Sequence, residues 1–154
     1  MVLDRFALAL ERGPEAQIWA TDINREALDR AQKGIYGRSS LKEVNPSLLE
    51  AYFISGPEPE TCMVRDPLKK RIKWDLHDFM EDDPPETDFT MIFLRNSLLT
   101  YHGIEEQEAA LNRILKSLLP GGFLVIGARE SVPERVGGLT PRSCSRMILR
   151  KSDQ

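Results

Sequence analysis

One stretch decides the fold class: Ile92-Phe93-Leu94-Arg95-Asn96-Ser97-Leu98-Leu99-Thr100-Tyr101. Its apolar run predicts a buried strand, which stops abruptly at an arginine and an asparagine before a predicted helix. Open α/β sheets bind their ligands in the crevice beyond the carboxyl ends of the strands. We therefore expect the functional residues of this chain where this strand ends.

Strand and helix patterns alternate on both sides of this stretch. Asp22 closes a short apolar strand, Asn24 is typical of the residue that caps a helix, and Gly34 is typical of the residue that ends one. The predicted strands are residues 18–21, 62–64, 72–76, 89–94, 123–126 and 147–149, and the predicted helices are residues 2–10, 24–34, 45–52 and 104–119. This alternation predicts an α/β protein with a mostly parallel sheet.

The helix predicted for residues 104–119 has the strongest signal. Its apolar residues form one stripe, with acids in the first turns and basic residues later, which matches the helix dipole. Pro120-Gly121-Gly122 is expected to end this helix. The region 130–146 is interpreted as a loop, because it carries Gly137-Gly138 and Pro141.

The composition is that of an ordinary globular protein. The 154 residues predict a single domain, 1–154, and the 41% hydrophobic and 29% charged residues do not indicate disorder. Cys62 and Cys144 lack the spacing of metal ligands or of a disulfide framework, so no metal is predicted. The basic cluster Arg65, Lys69, Lys70 and Arg71 is interpreted as a solvated turn.

Charge and hydropathy limit the expected partners and location. The net charge of −3 and the pI near 5.5 give no reason to expect nucleic acid as a partner. No apolar run approaches the roughly 20 residues that span a bilayer, and no signal-type segment opens the chain. We expect a cytoplasmic protein without membrane insertion.

Several polar residues at predicted strand ends can bind a nucleotide-like ligand. The carboxylate of Asp22 can accept hydrogen bonds from ribose hydroxyls, and that of Asp78 from an adenine amino group. The alternative for each is an ordinary turn aspartate, which by itself is favoured for Asp22 and equally good for Asp78. Arg95 must find an anion, a carbonyl or water, and its alternative is a salt bridge to an acid. Glu130 follows an apolar strand and can serve a site or a surface. No Ser-His-Asp order, P-loop lysine or G-x-G-x-x-G motif supports a hydrolase or nucleoside triphosphatase.

Taken together, the ordered motifs resemble the CheR-type chemotaxis-receptor methyltransferase family, which depends on S-adenosylmethionine. The resemblance runs from the N-terminus to about Pro133. It is carried by Trp19-Ala20-Thr21-Asp22-Ile23-Asn24, Ala31-Gln32-Lys33-Gly34-Ile35-Tyr36, His77-Asp78-Phe79, Phe93-Leu94-Arg95-Asn96 and Leu119-Pro120-Gly121-Gly122-Phe123. It implies a doubly wound, Rossmann-like methyltransferase sheet and methyl transfer to a glutamate carboxylate of a receptor.

The resemblance also implies roles for individual residues. Asp22, with Ile23 beside it, matches the acid that binds the ribose, and Asp78 and Phe79 match the positions beside the adenine. Arg95 and Asn96 match the arginine and asparagine that line the cofactor pocket. Thr100 replaces the family tyrosine close to the transferred methyl, and Tyr101 occupies the adjoining, usually aromatic, position. These two are the candidate catalytic residues. Together the matches predict that Asp22, Asp78 and Asn96 surround one adenosine.

The family pattern includes a first strand and a glycine loop ahead of the opening helix, whereas this chain begins within that helix. The resemblance places that strand between the strands that end at Asp22 and Arg95, and each buried backbone group left unpaired there costs about 1–3 kcal/mol. We therefore expect a truncated or mis-started domain, with Met1 as an internal methionine. The chain also has Ala128 and Arg129 where chemotaxis members often have histidine and serine.

Three functions remain open at this point. The leading hypothesis is an S-adenosylmethionine-dependent methyltransferase that acts on a carboxylate or another oxygen of a receptor or signalling protein. The second is a non-catalytic module that binds a nucleotide or a protein partner. A dinucleotide-dependent oxidoreductase is the third, because an acid after the second strand also suits that class.

Overall fold

The computed structural model describes residues 17–153, which divide into a first compact unit that ends at Leu76 and a second that begins at His77. The opening helix predicted for residues 2–10 lies outside the described residues. That the whole chain forms a single domain stays a prediction.

Residues 17–76 of the first unit form two small sheets. Strands β1 (Ile18–Asp22) and β5 (Ile72–Leu76) pair in parallel, with Asp22 opposite Leu76. The second sheet is antiparallel and has the order β2 (Ile35–Gly37), β4 (Thr61–Val64) and β3 (Phe53–Ser55). Helices α1 (Arg25–Lys33), α2 (Pro46–Tyr52) and α3 (Asp66–Lys69) and a 3₁₀ helix (Arg38–Leu41) connect these strands.

Local sequence signals determine both ends of α1. The side chain of Asn24 accepts hydrogen bonds from the amides of Glu26 at 2.9 Å and Ala27 at 3.2 Å, which are two of the four donors that a helix start leaves unpaired. Gly34 ends the helix in the left-handed conformation, with φ of 65°. The predicted cap and the predicted stop are both confirmed.

Replacing Asn24 with alanine should lower the free energy of unfolding of the first unit by about 1 kcal/mol, because the two α1 amides lose their acceptor. Both tryptophans, Trp19 and Trp74, belong to this unit, so urea unfolding followed by their fluorescence measures the effect. The matched variant Asn24→Asp keeps an acceptor oxygen and should be close to wild type. An alanine variant as stable as the wild type would contradict the role of the cap.

The second unit is built around a four-stranded sheet in the order β6-β7-β9-β8. Strands β6 (Phe89–Leu94) and β7 (Leu118–Ile126) are parallel and are connected by helices α4 (Leu98–Tyr101) and α5 (Ile104–Lys116). Strand β9 (Ser145–Lys151) runs antiparallel to β7, and β8 (Leu139–Arg142) runs antiparallel to β9. The predicted α/β class is confirmed, and the parallel pairs β1–β5 and β6–β7 join strands that the sequence predicts.

The core of the second unit lies between α5 and the sheet. Four residues at helical spacing on α5 are buried, and they pack with leucines from β6, α4 and β7. The side chains of Leu98, Leu111, Leu118 and Leu124 are almost completely buried, with exposures of 1% or less. Burial of this apolar surface is the main stabilising contribution in the unit.

Helix α5 ends three residues earlier than predicted, and Pro120-Gly121-Gly122 lies within β7 instead of ending the helix. The carbonyl of Ser117 accepts a hydrogen bond from the amide of Phe89 at 2.8 Å, so the chain leaves the helix there to pair with β6. Phe89 faces Leu118 and Met91 faces Phe123, so the residues between Leu118 and Phe123 bulge out of the strand.

Two further predictions for the second unit were wrong in part. The region 130–146 was expected to be a loop but contains β8, because the edge of β9 offers backbone partners to a segment whose Pro141 is tolerated in an edge strand. Strand β6 was expected to be buried, but only one of its faces is. Leu94 is 7% exposed, whereas Phe93, on the opposite face, is 68% exposed.

Strand pairing leaves β1 and β6 with one neighbour each in the part of the chain that the structure describes: β1 pairs with β5, and β6 pairs with β7. Of the helices within residues 17–153, none has the length and apolar character that crossing a bilayer requires.

Candidate functional site

The candidate site of the second unit lies where β6 and β7 end. The two strands are parallel and Leu94 faces Ile126, so their carboxyl ends lie side by side. Arg95 and Asn96 follow β6, and Gly127 begins the turn after β7. This is the edge of an α/β sheet at which ligands bind, as the sequence predicts.

The carboxylate of Glu130 joins three segments at this edge. Its Oε1 accepts a hydrogen bond from the hydroxyl of Thr100 on α4 at 2.6 Å, and its Oε2 accepts one from the backbone amide of Gly127 at 2.5 Å. The backbone amides of Asn96 and Ser97 lie near enough to this carboxylate to lower its pKa. An ionised carboxylate only accepts hydrogen bonds, and all of its partners here are donors.

Gly127 lies where a side chain does not fit. A Cβ atom at this position would lie 2.5 Å from Oε2 of Glu130 and 2.7 Å from Oδ1 of Asn96. The absence of a side chain therefore allows the polar atoms of Glu130 and Asn96 to approach the same point of the backbone.

Asn96 has a left-handed backbone conformation, with φ of 53°. Residues other than glycine seldom adopt positive φ, and asparagine is among the few that tolerate it. The backbone turns sharply here, directly after β6. This turn sets the direction in which the side chain of Asn96, with its amide group, leaves the backbone.

Hydrogen bonding holds the pKa of Glu130 below its ordinary value of 4.5. Partial burial by itself would raise this pKa, but the hydroxyl of Thr100 and the amides of Asn96, Gly127 and Ser97 stabilise the charged form and outweigh burial. Glu130 is therefore ionised at neutral pH. The stabilisation that it contributes is complete above pH 4.5 and is lost as the pH falls through the folded-state pKa.

The structure places the two predicted catalytic residues on α4 with different surroundings. The hydroxyl of Thr100 donates a hydrogen bond to Glu130, whereas the side chain of Tyr101 is 76% exposed. Arg95 is exposed, and no ion pair between it and an acid occurs within residues 17–153. The alternative interpretation of Arg95, a salt bridge, is therefore not observed there.

Asp78 and Phe79 lie in a loop that contacts the end of α4 and the helix α5. Oδ1 of Asp78 accepts a hydrogen bond from the amide of Met80 at 2.8 Å, so Asp78 has the role of a turn residue at least. The ring of Phe79 meets the ring of His102 edge-on at 5.8 Å, just after α4. Arg113 on α5 donates a hydrogen bond to the carbonyl of Met80 at 2.6 Å.

Asp22 and Ile23 belong to the first unit, at the carboxyl end of β1. Oδ1 of Asp22 accepts a hydrogen bond from the amide of Asn24 at 2.8 Å, and Ile23 is 66% exposed. That Asp22 and the residues of the second unit surround one adenosine stays a prediction.

A separate open cavity of about 650 Å³ lies in the first unit, between the antiparallel sheet and α2. Its lining combines apolar side chains with the basic residues Arg38, Lys42 and Arg65. None of the predicted site residues lines it, so the sequence motifs and this cavity mark different parts of the molecule.

Sequence reasoning missed Gly127 and the amide of Ser97 as parts of the site. The glycine directly after the apolar run 123–126 was an available signal, because a glycine at a strand end often marks a close approach of another group. The amide of Ser97 left no such signal, because any residue except proline supplies one.

Comparison with known proteins identifies the family. The model of the family described as CheR methyltransferase, SAM binding domain, matches residues 1–148. The chemotaxis protein methyltransferase of Klebsiella aerogenes is 32% identical over 124 residues, which are 79% of this chain and 42% of that protein. The chemotaxis protein methyltransferase of Salmonella typhimurium is 32% identical over 138 residues, 88% of this chain and 48% of that protein.

The chain thus spans less than half the length of these two curated relatives. Among solved structures, the N-methyltransferase NodS of Bradyrhizobium japonicum is similar, with a TM-score of 0.48 and 17% identity, over 88% of this chain and 74% of that one. The match to the family model covers residues 1–148, which is nearly the whole sequence. The chain therefore belongs to the CheR methyltransferase family, whose S-adenosylmethionine-binding domain it matches from residue 1 to residue 148.

Proposed function

We propose that the protein to which these residues belong transfers a methyl group from S-adenosylmethionine to a glutamate carboxylate of a receptor or signalling protein. The observation that carries this proposal is the family match over residues 1–148, together with relatives named chemotaxis protein methyltransferase.

The side chains at the strand ends suit this cofactor. Ribose hydroxyls and the adenine amino group are hydrogen-bond donors, and the carboxylates of Asp22 and Asp78 are acceptors. In this proposal Asp22 binds the ribose, Asp78 and Phe79 bind the adenine, and Arg95 and Asn96 line the pocket. The bare backbone at Gly127, where a Cβ would clash with Asn96 and Glu130, leaves room for polar groups to gather there.

The chemistry requires little of the protein beyond alignment. When bound, S-adenosylmethionine supplies a methyl group already activated by its sulfonium, and a carboxylate acceptor has no proton to lose. The protein contributes by holding acceptor oxygen, methyl carbon and sulfur in line, and such alignment can account for about 7–11 kcal/mol of a reaction barrier. In this proposal Thr100 and Tyr101 border the acceptor, and Thr100 keeps its proton in the hydrogen bond to Glu130.

Titration calorimetry of the chain with S-adenosylhomocysteine, S-adenosylmethionine and NAD tests the cofactor. Binding of the first two without NAD is the expected result. A preference for NAD would support an oxidoreductase, and no binding of any of the three would favour a non-catalytic module.

A transfer assay with methyl-labelled S-adenosylmethionine and a receptor signalling domain tests the acceptor. The label should enter the receptor as an ester, and mild alkali should then release it as methanol. Label that resists alkali would contradict a carboxylate acceptor while leaving the cofactor assignment intact.

A further inference from the structure

We propose that Glu130 is a positioning residue for the cofactor site: it holds the turn at Asn96 in its left-handed conformation and thereby directs the side-chain amide of Asn96. This inference rests on the proposed function, in which Asn96 lines the pocket for S-adenosylmethionine. Glu130 itself need not touch the cofactor.

The first step of the argument is the match between the carboxylate and its surroundings. Oε1 accepts a hydrogen bond from the hydroxyl of Thr100 at 2.6 Å, and Oε2 accepts one from the amide of Gly127 at 2.5 Å. The backbone amides of Asn96 and Ser97 lie near enough to lower the pKa of this carboxylate. The two hydrogen bonds join α4 to the turn after β7 and use one carboxylate oxygen each. A neutral amide at this position keeps one acceptor oxygen for the amide of Gly127, and its NH₂ group then faces Thr100, whose hydroxyl must turn from donor to acceptor.

The second step concerns the backbone at Asn96. Successive N–H groups can point to one side and form a concave anion site when a residue adopts the left-handed conformation within a turn. Asn96 has φ of 53°, and the backbone amides of Asn96 and Ser97 lie near enough to the carboxylate of Glu130 to lower its pKa. Oδ1 of Asn96 and Oε2 of Glu130 both approach the point where a Cβ of Gly127 would lie, at 2.7 Å and 2.5 Å. Glu130 therefore supplies the anion that stabilises an uncommon backbone conformation directly after β6.

The third step separates this role from simple stabilisation of the fold. Glu130 is half-buried, Asn96 and Thr100 are exposed, and none of the three belongs to the apolar core. Loss of the carboxylate removes polar contacts at the sheet edge but no apolar packing. We therefore expect the shape of the site to change more than the stability of the second unit.

The test uses Glu130→Gln and Thr100→Val, with Glu134→Gln and Thr140→Val as matched controls on exposed residues of the same unit. Thr100→Ser keeps the hydroxyl and should restore the wild-type behaviour. Three quantities are measured on each variant: the NMR signals of the Asn96 and Ser97 amides, the dissociation constant of S-adenosylhomocysteine, and the urea midpoint by circular dichroism.

In the wild type, the amide shifts of Asn96 and Ser97 should titrate with Glu130 at a pH below 4.5. Glu130→Gln should abolish this titration and change the coupling constant that reports φ of Asn96. It should also weaken S-adenosylhomocysteine binding about 10-fold, because binding must then restore a left-handed turn at Asn96 that the carboxylate no longer holds. The urea midpoint should fall less than in a core substitution such as Leu111→Ala, because loss of the carboxylate removes no apolar packing. Thr100→Val should raise the titration midpoint of Glu130 toward 4.5.

Two outcomes overturn the proposal. An unchanged coupling constant for Asn96 in Glu130→Gln would show that the carboxylate does not hold the turn. A changed coupling constant with unchanged S-adenosylhomocysteine affinity would show that the turn does not serve the cofactor.

The failure of the proposed function has a different signature, because a wild-type chain that binds no S-adenosylhomocysteine contradicts the cofactor assignment directly. The NMR measurements need no cofactor and decide in that case whether Glu130 holds the turn. If Glu130→Gln does not fold, Thr100→Val and the rescue by Thr100→Ser decide the same question through one hydrogen bond.

Discussion

Replacing Leu111 with alanine is expected to lower the free energy of unfolding of the second unit by about 2–5 kcal/mol. Leu111 is 0% exposed and belongs to the core between α5 and the sheet. The substitution removes buried methyl groups and leaves a cavity whose walls lose contacts, and the surrounding structure closes it only in part. A loss of this size is a large fraction of the stability of an ordinary domain.

Urea unfolding followed by far-ultraviolet circular dichroism is the suitable measurement, because both tryptophans lie in the first unit and their fluorescence reports that unit alone. The matched control is Ile104→Ala on the same helix. Ile104 is 67% exposed, and its replacement should change the stability by at most about 0.5 kcal/mol. Equal effects of the two substitutions would contradict the assignment of the core face of α5.

Replacing Asp22 with asparagine is expected to weaken S-adenosylhomocysteine binding by about 10- to 100-fold, as the loss of hydrogen bonds to a charged group implies. In the proposed function its carboxylate accepts both ribose hydroxyls. Asparagine retains one acceptor oxygen, so the 2.8 Å hydrogen bond from the amide of Asn24 can persist and α1 should still form. The change therefore tests the charge and the second acceptor, with the turn kept in place.

Asp29→Asn is the matched control for this variant, because Asp29 is an exposed residue of α1 and its replacement changes the net charge equally. Calorimetric titration should give the control a wild-type affinity. If Asp22→Asn binds S-adenosylhomocysteine as tightly as the control, Asp22 is only a turn residue.

Sequence reasoning succeeded where the signal is local. Asn24 and Gly34 predict both ends of α1 because a helix end is decided by the residues that satisfy its own amides and carbonyls. The predicted end of α5 was wrong because the carbonyl of Ser117 accepts a hydrogen bond from the amide of Phe89, a residue far from it in the sequence. Strand β8 was missed for the same reason, since its partner strand β9 supplies the backbone hydrogen bonds that make it a strand.

The sequence by itself determined the α/β class, the family, and the polar residues that follow strands β1 and β6, because periodicity and the order of motifs are properties of the chain. Only the tertiary structure decided that Thr100 donates to Glu130, 30 residues further on, and that Gly127 brings Glu130 and Asn96 to the same point. Each of these contacts depends on the parallel pairing of β6 with β7, which places the two strand ends side by side. A hydrogen bond between residues so far apart in sequence leaves no local pattern, because the fold creates their proximity.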